Sequence, residues 1–354
     1  MDLAQGFELE LLPVRLCFGS GYAARLPGIL GDLGGKRPLL LGTAAAEQRH
    51  SKVFASLDGL KTSAFFQAEP HCPVKVVERC RQVFRDAGCD SVIAVGGGST
   101  LGLGKILAAE EGAKWIALPT TYSGSEMTPI FGRKIGQEKR IGRDPRCRPD
   151  FVIYDPLLTR ELPAHAAVTS GMNSIAHAVE ALYPQRPNPL TPGLAEQALI
   201  AHRGGLQAIA LGVADEAALA AAQYGGFLGG LLVAICGIAL HHQLCHVIGG
   251  LFNLPHGETN SVILPHAVDY NLPAISAARS VVEKVFEADH AARAIFDFAA
   301  EIHAPQSLRG LGMPESGIDA TVDAMLAHGG WNPRPLERAG LARLMRNAFE
   351  GRRP

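Results

Sequence analysis

A chain of 354 residues exceeds the roughly 250–300 that one hydrophobic core organises, so two domains are expected. With 47% hydrophobic and 19% charged residues and a net charge of −1, the composition is that of a globular protein. No global field draws it to nucleic acid or to an anionic membrane, and an anionic ligand must be met by local positive charge.

The opening "MDLAQGFELE" has neither a basic leader nor an apolar run, so no secretory signal is expected. The first 155 residues then alternate. "RPLLLG" (37–42), "SVIAVGG" (91–97), "KWIALPTT" (114–121) and "DFVIYDP" (150–156) are short apolar runs of the kind that form buried parallel strands. Between the first two, "VKVVERCRQVFRDAG" sets Val77, Val83 and Phe84 among charges in a helical pattern. Strand, helix and strand at this spacing argue for a parallel sheet wrapped by helices.

"SVIAVGGGSTLGLGK" passes from a strand through three glycines into a helix. The glycines let backbone approach a ligand, and the helix start offers free N–H groups to an anion. It is not a Walker A loop: five residues separate Gly98 from Gly104, and Ile106 stands where magnesium would need a hydroxyl. The dinucleotide fingerprint G-x-G-x-x-G is absent too. After the next strand, "LPTTYSGSEMTP" gathers Thr120, Thr121, Ser123, Ser125 and Thr128 at a strand's carboxyl end, where open α/β sheets bind ligands. The plainer reading of these hydroxyls is helix capping.

The prolines of "DPLLTRELP" (155–163) mark the domain boundary, which divides the chain at 159/160. Beyond it, "AEQALIAHRGGLQAIALG", "EAALAAAQYGGFLGG" and "IDATVDAMLAHGG" read as helices. The most apolar stretch, "GGFLGGLLVAICGIAL" (225–240), falls short of the ~20 residues of a membrane span and is expected as a buried, closely packed helix. Seven scattered cysteines without a CxxC pair suit reduced thiols in a cytoplasm.

Four of the thirteen histidines fall within "LHHQLCHVIGGLFNLPHGETN" (240–260). His242 and His246 share a helix face, His241 points about 100° away, and His256 lies beyond the helix end. Asn173 and His177 form a second pair four residues apart in "GMNSIAHAVE". Such a cluster serves either a metal or proton transfer.

Together, "GGGSTLGLGK", "PTTYSGSEMTP", "SGMNSIAHAVEALY" and "HHQLCHVIGGLFNLPHGETN" resemble the iron-containing alcohol dehydrogenase superfamily, and most of all its maleylacetate reductase branch. The likeness spans roughly residues 10–350 and includes "NPRPL". It implies an N-terminal Rossmann-like domain (1–159), an all-helical C-terminal domain (160–354) and a cytoplasmic homodimer. The implied cofactor is NADH or NADPH. Gly96, Gly97, Gly98 and Ser99 would hold its pyrophosphate, with Thr120, Thr121, Ser123 and Thr128 approaching it and Lys139 at its ribose. Gly42 and Thr43 stand where many NAD-specific relatives place an aspartate that repels a 2′-phosphate, which leaves NADPH open.

Metal-dependent relatives carry an aspartate and three histidines at the positions of Asn173, His177, His242 and His256. The neutral amide removes a charge beside a divalent ion, so no metal is expected. The implied reaction is reduction of maleylacetate, a small dicarboxylate with an enone, to 3-oxoadipate. His246 is the first candidate for proton donor, with His177, His242 and His256 around it in a cationic pocket and Tyr122 as a rival. Asn173, His241 and Arg334 are candidates on the substrate side, and Arg133 and Lys134 are further carboxylate partners. The alternatives are a metal-dependent alcohol or glycerol dehydrogenase and a nucleotide-binding sensor without turnover.

Overall fold

The computed structural model describes residue 9 and residues 14–135, 138–328 and 330–354. The described residues divide into two compact units, one ending at Leu162 and the other spanning Pro163–Pro354.

The first unit is built on a six-stranded parallel sheet in the order β1-β8-β5-β4-β2-β3. Its strands are β1 (Arg15–Phe18), β2 (Pro38–Leu41), β3 (Ser63–Phe65), β4 (Ser91–Gly96), β5 (Lys114–Pro119) and β8 (Phe151–Tyr154). Every residue of β2, β4 and β8 is buried, which is why these segments read as unbroken apolar runs. Helices α1 (Leu26–Asp32), α2 (Ala44–Arg49), α3 (Ser51–Ala55), α4 (Val74–Asp86) and α5 (Gly98–Glu111) connect them. One core joins Leu26, Leu30, Val53 and Leu57 to Leu40, Ile93, Ile116 and Ile153. Four strands were not expected from the sequence. β1 and β3 are short, and the hairpin β6 (Ile130–Ile135) and β7 (Glu138–Arg143) is polar and charged.

From β2 the chain crosses to β3 on one side, then returns past β2 to β4 on the other. The carboxyl ends of β2 and β4 are therefore a topological switch point, the place where such sheets leave a crevice.

The second unit is helical: α6 (Ala164–Glu180), α7 (Thr191–Ala210), α8 (Glu216–Cys236), α9 (Leu240–Phe252), α10 (His256–Asn271), α11 (Ser276–Phe286), α12 (Ala291–Glu301), α13 (Gly317–His328) and α14 (Arg338–Glu350). Leu240, Leu244, Ile248, Ile263, Leu341 and Met345 share one of its cores. The most apolar stretch is not a separate short helix. It continues "EAALAAAQYGGFLGG" as the 21-residue α8, long and apolar enough by composition to cross a membrane. Over half of its most apolar window, 56%, is buried within the protein, as in a core helix. It ends at Gly237, whose φ of 75° suits only glycine. All seven cysteines are free.

Close approach between α7 and α8 rests on small residues. A Cβ on Gly205 would lie 2.6 Å from the Ala222 amide nitrogen and 2.9 Å from the Ala218 carbonyl, so the backbone itself would have to move. A Cβ on the adjacent Gly204 would meet nothing within 4 Å. Gly205→Ala is therefore expected to cost ~1–3 kcal/mol of stability as overpacking. Gly204→Ala is expected to gain up to ~1 kcal/mol through helix propensity. Urea titrations of both variants check this, and equal effects at the two positions would refute the close-packing argument.

Candidate active site

In the α/β unit the glycine loop lies at the switch point. A Cβ on Gly96 would come within 2.6 Å of Thr100 Oγ1, and one on Gly97 within 2.7 Å of Thr121 Cγ2. Those two glycines are demanded by the protein's own packing. Gly98 is exposed, and a Cβ there would meet nothing within 4 Å. Gly97 precedes α5 in an extended conformation without a side-chain cap, so the first N–H groups of a 14-residue helix face outward at Gly98 and Ser99. At the end of β2, Gly42 packs against Phe66, and Thr43 Oγ1 accepts the Ala46 N–H at 3.1 Å, capping α2.

The hydroxyl-rich loop is tied to α5 by a residue that the sequence reading passed over. Lys105 is 2% exposed, and its ammonium donates to Thr128 Oγ1 and the Ile130 carbonyl, each at 2.8 Å, and to the Ser125 carbonyl. Burial lowers its pKa to about 8, with the nearby Glu126 opposing that fall. Its place in "GGGSTLGLGK" was the available signal. Thr128 is thus a brace: its hydroxyl accepts from Lys105 and donates to the Ser125 carbonyl. Thr120 donates its backbone N–H to the Gly96 carbonyl, and Thr121 and Ser123 are half-buried beside it. Lys139 lies on β7, and its side chain falls outside the described residues.

Three sequence expectations change. Tyr122 is 1% exposed and donates its hydroxyl to Thr159 Oγ1 at 3.0 Å. Burial pushes its pKa up to about 12, so the structure does not support it as a rival proton donor. Arg133 pairs with Glu110 and lies over the Phe131 ring. Arg334 stacks 4.3 Å from the Tyr270 ring centre and donates to the Tyr270 carbonyl at 2.7 Å, which gives it a structural task on α10.

In the helical unit the histidines come together as a ladder. His177 on α6 stacks on His242 of α9, with ring centres 4.5 Å apart and planes 14° apart. His246, one turn further along α9, meets His242 edge-on at 6.5 Å. His256, the first residue of α10, stacks on His246 at 5.9 Å. His241 abuts His242 at right angles, and the buried Asn173 sits one turn before His177 on α6. His177, His241 and His242 are buried, whereas His246 is exposed and His256 half-buried.

Glu180, absent from the expected set, organises the buried end. Its Oε1 accepts the His241 backbone N–H at 2.9 Å, and its Oε2 lies 2.7 Å from His242 Nδ1. Nothing in a single sequence links it to residues sixty positions later. The expectation of a cationic pocket fails at this end. Burial, and then repulsion among the rings, hold His177 and His242 well below the ordinary histidine range, and burial lowers His241 to about 3. These three are neutral at neutral pH.

At the ligand positions of metal-dependent relatives the chain offers three imidazoles and the amide of Asn173, a set without negative charge. Among the described residues, one group of three His, Cys, Asp or Glu donors lies within 4.8 Å of one another, and it is Glu180, His241 and His242, not His177, His242 and His256. Within that group Glu180 and His241 are engaged in hydrogen bonds, as is His242 Nδ1, while His242 Nε2 has no partner.

Residues 13–156 match the family described as iron-containing alcohol dehydrogenase, and residues 167–349 match the C-terminal region of the same family. The chain is 40% identical over 348 residues to maleylacetate reductase 1 of Cupriavidus pinatubonensis, covering 98% of each. The crystal structure of maleylacetate reductase from a Rhizobium species superposes with a TM-score of 0.94 at 38% identity, covering 99% of this chain and 100% of that one. An iron-containing alcohol dehydrogenase from Corynebacterium glutamicum gives 0.92 at 32% identity, covering 97% of each.

Histidine burial has a measurable cost in acid. On α10, His266 is 3% exposed, its Nε2 has no partner, and burial lowers its pKa from 6.5 to about 4. Below 6.5 the unfolded chain binds a proton that the folded protein refuses until about 4. Stability is therefore full above 6.5 and is lost as pH falls through that window, by up to ~1.4 kcal/mol per unit. His266→Leu is expected to show a shallower decline in unfolding free energy from pH 6.5 to 4 than the wild type, and parallel curves would rule the group out.

Proposed function

The chain belongs to the iron-containing alcohol dehydrogenase family, and within that family we propose that it is a metal-independent maleylacetate reductase. The observation that carries this reading is the full-length match to proteins named maleylacetate reductase, at 40% identity over 98% of both chains. Neutral Asn173, which leaves the ligand positions without a carboxylate, supports metal independence.

NADH or NADPH, when bound, would supply the hydride. The open face of Gly98 and the uncapped start of α5 suit its pyrophosphate, and Lys105 keeps the adjoining hydroxyl loop in place. Thr43 brings no negative charge to repel a 2′-phosphate. Hydride addition to the alkene carbon β to the ketone puts negative charge on the ketone oxygen. A donor aimed at such an oxygen is worth ~2.7–4 kcal/mol. The buried end of the ladder is neutral, so that donor belongs at the accessible end, and His246 is the exposed ring there.

Oxidation of NADH or NADPH by the purified protein with maleylacetate, before and after prolonged EDTA treatment, tests the reading. Turnover that survives chelation is expected. Loss of activity with removal of one metal per chain, and recovery on its return, would replace it with a metal-dependent dehydrogenase. His246→Ala is expected to lower kcat by ~10²-fold or more, as loss of a general acid does, with cofactor affinity unchanged. Near-normal kcat would move the donor to His256. Both cofactors are expected to support turnover. Thr43→Asp, which keeps a good helix cap, should raise the KM for NADPH more than that for NADH, and an equal effect on both would refute the role of residue 43.

A further inference from the structure

The hydrogen bonds at the buried end of the ladder determine where its protons sit. His241 Nε2 lies 3.1 Å from the Asn260 carbonyl oxygen, which can only accept, so Nε2 carries a hydrogen. Neutral His241 then has a bare Nδ1. That atom faces His242 Nδ1 at 3.1 Å, and two bare nitrogens at this distance would repel. His242 Nδ1 therefore carries the hydrogen, which it also points at Glu180 Oε2, 2.7 Å away. Its other nitrogen, Nε2, is left as a lone pair, buried and without a hydrogen-bond partner in the protein.

We infer that Glu180 is a positioning residue that locks His242 in the Nδ1–H form and so presents Nε2 to the site as a hydrogen-bond acceptor. The inference rests, for its catalytic consequence, on the reduction proposed above. A bare Nε2 takes a donor, a water or a hydroxyl, and repels a carboxylate. His242 is then not a seat for either carboxylate of a dianionic substrate. It anchors a donor beside His246, one turn along the same face of α9. The carboxylate orienting an imidazole from behind is the arrangement that fixes ring and tautomer in other histidine sites.

Glu180→Gln tests this. Its amide oxygen can keep the His241 N–H bond while its NH₂ faces His242 Nδ1, which forces the hydrogen to Nε2. Nitrogen-15 NMR of imidazole-labelled protein reads the tautomer directly, with the His242 signals assigned by their loss in His242→Gln. The wild type is expected to show a protonated Nδ1 and a bare Nε2, and Glu180→Gln the reverse. Turnover with the enone is expected to fall at least tenfold in kcat, with the KM for NADPH unchanged and partial recovery in Glu180→Asp. A wild-type His242 with its hydrogen on Nε2 would overturn the inference, and that spectrum requires no variant at position 180 to fold. Normal kcat in a Glu180→Gln protein whose tautomer has reversed would overturn the catalytic role. The NMR result needs no substrate, so it stands or falls separately from the assignment of maleylacetate.

Discussion

A carboxylate shut away from water governs the helical unit. Glu180 is 2% exposed and burial raises its pKa, so keeping its charge out of solvent costs several kcal/mol unless donors replace its hydration. The donors come from the first turn of α9, as one amide and one imidazole. That demand brings the end of α6 against the start of α9. Once it is met, His242 lies flat on His177, and the remaining rings follow along α9 and the first turn of α10. A hydrophobic contact could slide by an ångström at little cost. Two hydrogen bonds to a buried charge cannot.

The α/β unit buries the opposite charge by the same rule. Lys105 is surrounded by oxygens from a single loop, so the strand-to-helix turn that exposes Gly98 and the loop after β5 are held as one piece. The two units thus share a device, an ion whose partners all belong to the segment being positioned. In each case the ion is remote from the accessible groups that it orders, and its contribution to chemistry is geometric.

The parallel sheet was readable because its central strands are buried on both faces and close with glycine or proline turns. β3 escaped notice because three residues carry no periodicity, and the β6–β7 hairpin because its charges mask alternation. Spacing put His242 and His246 on one helix face and His256 past the helix end, and that is where they lie; that His256 then stacks on His246 is a product of the fold. Spacing carries no information on burial, which is why a cationic pocket was expected where neutral rings lie. The burial of Tyr122 is not legible for a related reason: its partner, Thr159, is contributed by a distant segment. Glu180 was invisible because a lone glutamate in a helix is usually a solvated one, and only the fold brings α9 to it.

The 21-residue α8 would be hazardous if it emerged from the ribosome uncovered, since it has the length and hydropathy of a segment that inserts into membranes. Its main partners, α6 and α7, precede it in the chain. Translation therefore completes the surfaces that cover α8 before α8 itself is made, and the order of synthesis shields the greasiest part of the protein. A circular permutant starting at α8 would retain every native contact yet lose that shelter. Its difficulty would lie in the yield of folded protein, with the stability of what folds left intact.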